Sequence, residues 1–191
     1  MKIVPNLFPI LPELVLLLSS LIILMVGVFY EKNNVKISIR SSILTLLLVS
    51  FFILYTNQYS TETFNGLFSV SSFTAFSKLL IVISSIFSIF LISPWLKNQS
   101  LLIYEIPVLM LFATLGMMMM ISANDLIALY IGLELQSLSL YVLATFNKND
   151  LRSAESGVKY FVLGALASGL LLYGSSLIYG FTGSTGFSDI S

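Results

Sequence analysis

The chain has 191 residues, of which 57% are hydrophobic and 9% charged, a composition far from that of an ordinary soluble domain and suited to a chain embedded in lipid. Nine basic and nine acidic residues cancel, so there is no global field to attract nucleic acid or an acidic substrate, and charge arguments are local. Cysteine and histidine are both absent, which excludes thiolate-held iron–sulfur clusters, thiol chemistry, the usual haem ligand and the commonest zinc ligands.

From Met1 and Lys2 the chain passes through a proline-punctuated stretch into a hydrophobic run, with no Ala-x-Ala-like site before the next charged loop. The first segment therefore reads as a retained helix rather than a cleaved signal. A hydrocarbon core of about 30 Å requires roughly 20 apolar residues per helix. Six stretches meet this, 11–30, 37–56, 73–93, 105–122, 125–146 and 154–180, and predict one all-α integral membrane domain over residues 1–191. Lys32, Lys36 and Arg40 follow the first stretch, Lys97 the third, and Lys148 and Arg152 the fifth, whereas residues 57–72, 123–124 and 181–191 hold no lysine or arginine. By the positive-inside rule the first set faces the matrix or cytoplasm and both chain ends face the other side. Pro94 and Trp95 are expected to close the third helix, and Ser153 to cap the sixth. The turn at residues 122–125 is so short that the fourth and fifth helices are antiparallel neighbours.

A charge deep in a bilayer costs about 2.5 to 3.5 kcal/mol on insertion scales and requires a partner, a hydrated cavity or an escape to the interface. Glu13, Glu105 and Asp125 stand at predicted helix starts and read as interfacial caps favoured by the helix dipole. Lys78, near the start of the third helix, is expected to snorkel outward. Glu134 is too deep in the fifth helix to escape. Tyr130, Glu134, Ser137, Tyr141 and Thr145 recur at steps of four, three, four and four, which gathers their polar groups on one face and predicts a polar, hydrated seam. Lys159 in the sixth helix has two readings: it snorkels or pairs with Glu155 at the favourable i, i+4 spacing, or it is a titratable lysine one water-bridged step from Glu134. Away from it, Gly157, Gly164, Ser168 and Ser175 line a small-residue packing seam.

The run from Ser122 to Ala144, with Glu134-Leu135-Gln136-Ser137-Leu138 at its centre, followed by Ala154 to Gly164 with Lys159, resembles subunit 2 (subunit N in bacteria), an antiporter-like subunit of respiratory complex I, NADH:ubiquinone oxidoreductase. The resemblance covers essentially all 191 residues and is strongest from Gly116 to Asp189. It implies two inverted repeats, each with a broken helix, and a midplane line of charged residues that conduct protons, with Glu134 and Lys159 on the proton path. Tyr130, Ser137, Tyr141 and Glu155 are candidate supporting groups. No cofactor is expected in this chain. NADH, FMN, the iron–sulfur clusters and ubiquinone would lie in partner subunits, so that the chain serves an enzyme without redox chemistry of its own.

A typical member continues with further helices, including a broken one that carries a buried lysine. Proton translocation is thus expected to need a complementary chain with the remaining helices, supplied by a split gene, with a truncated product as the alternative. The other expected partners are complex I membrane-arm subunits and membrane lipids. The location expected is the mitochondrial inner membrane, with a bacterial plasma membrane as the alternative. A stand-alone cation/proton antiporter subunit and a helical scaffold whose charges no longer titrate are the competing functions.

Overall fold

The computed structural model describes residues 6–29, 34–56, 61–64, 66–98, 103–147 and 150–191. Six long helices follow one another: α1 (Leu11–Phe29), α2 (Asn34–Thr56), α3 (Ser72–Asn98), α4 (Glu105–Ser122), α5 (Leu126–Ala144) and α6 (Leu151–Thr182). Each is long and apolar enough to cross a membrane. Tyr30, Lys32 and Lys148, and the side chains of Trp95 and Lys97, lie outside the described residues.

Helix ends depart from expectation for identifiable reasons. Helix α3 runs through Pro94 to Asn98. A proline removes one amide donor but does not have to stop a membrane helix, because neighbouring groups take up the freed carbonyl. Helix α6 starts one turn before the expected cap. Asp150 caps it by accepting from Arg152 N at 3.0 Å, since aspartate caps as well as serine. Ser153 instead donates to the Ala144 carbonyl at 2.9 Å and closes the end of α5. Gly183, at φ +73°, ends α6 in the left-handed conformation that suits glycine.

Helix α4 is the hub and packs against α1, α2, α3 and α5. Leu16, Leu46, Val49, Val82, Ile89, Leu111 and Met118 form the buried centre of the first four helices. Side-chain bonds help tie them, among them Ser85 to Thr114 at 2.9 Å and Ser38 Oγ to the Tyr104 carbonyl at 2.8 Å. Helices α4 and α5 approach backbone to backbone: a Cβ on Gly116 would stand 2.6 Å from both the Gln136 nitrogen and the Gly132 carbonyl oxygen. Only small residues permit that approach, and tight backbone packing replaces the hydrophobic driving force that lipid does not supply.

The described part of the connection between α2 and α3 contains a hairpin. Strands β1 (Thr61–Thr63) and β2 (Phe68–Val70) pair antiparallel. The hairpin binds the α4–α5 turn: Asn124 N donates to the Leu67 carbonyl at 3.0 Å and Asn124 Nδ2 to the Gly66 carbonyl at 2.9 Å. That turn in turn holds the segment after α6, through Leu126 N to Thr185 O at 3.0 Å and Phe187 N to Asn124 O at 3.2 Å. The described parts of the three lysine- and arginine-free segments are thus hydrogen-bonded into one belt on one side of the bundle, which includes the short α7 (Phe187–Ile190).

Candidate functional site

Glu134 is the ninth of the 19 residues of α5, so at a rise of 1.5 Å per residue it stands about 12 Å from one end of the helix and about 15 Å from the other. Its carboxylate meets α6. Ser168 Oγ donates to Glu134 Oε1, and Tyr130 OH lies 3.0 Å from Ser168 Oγ. With the Ser168 proton committed to the carboxylate, Tyr130 is the donor to Ser168, giving a phenol–hydroxyl–carboxyl chain that bridges the two helices. Such a chain holds the carboxyl in one orientation and supplies hydroxyls through which a proton can pass.

The small-residue seam of α6 receives this face of α5. A methyl added at Gly164 would overlap the Tyr141 hydroxyl, and one at Gly157 would overlap the Thr145 methyl. Buried Tyr141 also meets the rings of Tyr160 and Phe161 edge-on, at centroid distances of 4.8 and 5.7 Å. Ser137 lies half-buried on the same helix. The face expected to line a hydrated seam is therefore packed against α6 along much of its length. Ser168, which sequence reasoning placed only in the packing seam, is the direct partner of Glu134. The signal available was a hydroxyl among glycines, since a hydroxyl in lipid seeks an acceptor.

Lys159 is elsewhere. Its Nζ lies 2.5 Å from Glu155 Oε1, and both side chains point away from the bundle, 69% and 64% exposed. Because α6 begins at Leu151, Lys159 lies about 12 Å along the helix from its start, one turn deeper than the predicted boundary placed it. The structure brings it to Glu155 and not to Glu134.

Two expectations about the other charges are overturned. Lys78 does not snorkel, and Glu13 is not an interfacial cap. Lys78 Nζ lies 2.6 Å from Glu13 Oε1, with side chains 3% and 5% exposed, and stands 5.0 Å over the Phe68 ring of β2. Where a water interface was expected for Lys78, the Phe68 ring of the hairpin lies over its ammonium, which turns to Glu13. Among the described residues, each buried charge has the other as its counterion. Asp125 does cap α5, accepting from Ile127 N at 2.7 Å and Ala128 N at 3.3 Å, yet it is buried and also accepts from Thr185 Oγ1. Glu105 lies in the first turn of α4, as expected.

Comparison with known proteins places these features. Residues 123–191, which contain both Glu134 and Lys159, match the family described as NADH:quinone oxidoreductase/Mrp antiporter, transmembrane. The chain is 49% identical over 98% of its length to NADH-quinone oxidoreductase subunit N of Parvibaculum lavamentivorans, and 48% identical over 97% to that of Paramagnetospirillum magneticum. It spans 39% and 38% of the length of those two relatives. Among solved structures, a chain of respiratory complex I from Thermus thermophilus superposes with a TM-score of 0.75 at 28% identity, over 92% of this chain and 38% of that one. The chain is a multi-pass membrane protein, and it belongs to the antiporter-like membrane-subunit family of the NADH:quinone oxidoreductases, alongside subunit N.

Proposed function

We propose that this chain forms part of a proton-translocating membrane-arm subunit of an NADH:quinone oxidoreductase, with Glu134 as its proton-exchanging group. The observation that carries the reading is the Tyr130–Ser168–Glu134 hydrogen-bonded chain at mid-depth between α5 and α6. A carboxyl there switches cheaply between forms only if neighbouring dipoles or a counter-charge stabilise both. The hydroxyl pair supplies the dipoles, and a charge from outside the chain would supply the bias. Lys159, paired with Glu155, serves as a reservoir of countercharge beside the path rather than as the next step after Glu134. Tyr141 and Thr145 pack the seam below, and Ser137 completes the polar face. NADH, flavin, iron–sulfur clusters and quinone are bound by partner subunits, and coupling arrives through the contacts of α5 and α6.

The uncovered surface of α6 supports a partner. Leu163, Leu166, Leu170, Tyr173 and Phe181 are all exposed, while Ser175 sits half-buried on the same helix. Further helices of the subunit or a complementary chain would lie there, with other membrane-arm subunits beyond. The relatives compared above are bacterial, which supports a plasma membrane; the mitochondrial inner membrane expected from the sequence draws no support from them.

The test is the ratio of protons pumped to NADH oxidised in the assembled complex carrying Glu134→Gln. The substitution keeps shape and hydrogen bonding, so assembly should survive while the ratio falls. An unchanged ratio and rate would remove Glu134 from the mechanism and leave the scaffold reading.

A further inference from the structure

We propose that the Glu13–Lys78 pair, with the hydroxyls of Thr63 and Ser122, forms an internal water site beneath the β1–β2 hairpin. A carboxylate has about four lone-pair sites and a lysine ammonium three donors, more than a single contact between them uses. Lys78 Nζ lies 2.6 Å from Glu13 Oε1, yet among the described residues neither carboxylate oxygen meets a donor in hydrogen-bond geometry. Both side chains are buried. A buried ion pair recovers the cost of its desolvation only when further hydrogen bonds occupy the remaining lone pairs and protons, and the described residues supply none to this carboxylate.

Phe68 brings two hydroxyls to the same place. Its ring lies 5.0 Å from Lys78 Nζ. On one side Phe68 pairs with Thr63 across the hairpin, and residues directly opposite in a ladder carry their side chains on the same face of the sheet. On the other side it bridges Ala123, the residue that follows Ser122 at the end of α4. Thr63 and Ser122 are 5% and 0% exposed, and neither hydroxyl oxygen has a hydrogen-bond partner among the described residues. A buried hydroxyl left unpaired is costly, because it can both donate and accept. Five buried side-chain oxygens among the described residues lack a partner, and four of them belong to Glu13, Thr63 and Ser122. The fifth, on Ser42, lies in the first half of α2, away from the belt. Unmet bonds scattered by packing alone would not gather around one phenyl ring.

A second buried carboxylate at this end, Asp125, accepts from Ile127 N, Ala128 N and Thr185 Oγ1 and is satisfied within the protein. What the Glu13 site lacks is hydrogen bonds rather than charge. One carboxylate and one ammonium cancel, so an inorganic cation or anion gains no net attraction there. Water offers donors and acceptors together. It can donate to the Glu13 carboxylate and accept from Lys78, Thr63 or Ser122, in the manner of buried waters, which make about three hydrogen bonds each to otherwise unsatisfied groups. The site does not rest on the proton-transfer reading.

The experiment is an electron cryo-microscopy map of the assembled complex at a resolution that shows ordered waters. Density for at least one water should lie within about 3.2 Å of a Glu13 carboxylate oxygen, and within the same reach of Lys78, Thr63 or Ser122. Thr63→Val with Ser122→Ala removes both hydroxyls at little change of shape, and should lower the occupancy of that water or abolish it. Should the double variant fail to assemble, the unsubstituted complex decides the question alone. A dry site in a map with ordered waters elsewhere, a protein donor bonded to the carboxylate instead, or an occupancy unchanged by the double variant would overturn the proposal. So would a metal ion, told from water by its shorter contacts.

Discussion

The described residues hold two lysine–glutamate pairs of nearly equal length and opposite physical character. Lys78 and Glu13 meet at 2.6 Å between α3 and α1, almost without exposure, whereas Lys159 and Glu155 meet at 2.5 Å along one turn of α6 with both side chains largely exposed. In the first pair each charge is shut off from bulk water and depends on the other, so the bond acts as a clamp between helices that are separate in sequence. In the second, both partners belong to one helix and lie on its outer side, so the bond joins no two helices. Separation alone therefore says almost nothing about energy, and burial decides it.

The largest effect should come from breaking the clamp on one side. Lys78→Met leaves a buried carboxylate without its counterion, at a cost of about 3 to 5 kcal/mol, and should sharply lower the amount of protein recovered folded from the membrane. Glu13→Gln combined with Lys78→Met removes both charges and should recover most of the loss. A mild single variant, with no rescue by the double, would erase the contrast between the pairs. Packing can be separated from charge at the α4–α5 crossing. Gly116→Ala drives a methyl into backbone rather than a yielding side chain, and should cost about 1 to 3 kcal/mol in thermal unfolding. Smaller still is Ser168→Ala, which removes one hydrogen bond from Glu134, about 1 kcal/mol. It should slow proton pumping more than it lowers stability, and an unaltered pumping rate would argue against a relay through this hydroxyl. Lys159→Met should be mildest, because its partner Glu155 lies on the same helix and no contact between helices is lost. A loss as large as that for Lys78→Met would show that Lys159 is buried in the assembled membrane arm.

The helices were readable because hydrophobic length is a strong and local signal in membrane chains, and α4 has its predicted bounds of Glu105 and Ser122. The facing of α5 and α6 was half readable. Periodicity marked Tyr130, Glu134, Tyr141 and Thr145 as one face and the glycines of α6 as a seam, but nothing local said that the seam receives that face. Glu13 and Lys78 were misread because reach to an interface was counted from the helix ends, and no local pattern reveals that the Phe68 ring of a hairpin lies over Lys78. The hairpin itself was missed for the same reason: its residues are stabilised by Asn124, far along the chain, rather than by their own alternation. Cap choice between Asp150 and Ser153 was a near tie in intrinsic preference, and a tertiary acceptor, the Ala144 carbonyl, broke it.

The belt also constrains how the protein is made. Asn124 reaches back to Gly66 across 58 positions, and Leu126 waits for Thr185 to accept its amide. During synthesis the hairpin is delivered long before its partner turn exists, and the turn before the segment that follows α6. The far face is therefore laced from early residues to late ones, and its last stitch forms only after the end of the sixth helix has crossed the bilayer. Until Asn124 arrives, the hairpin whose Phe68 ring lies over Lys78 has no donor for its Gly66 and Leu67 carbonyls.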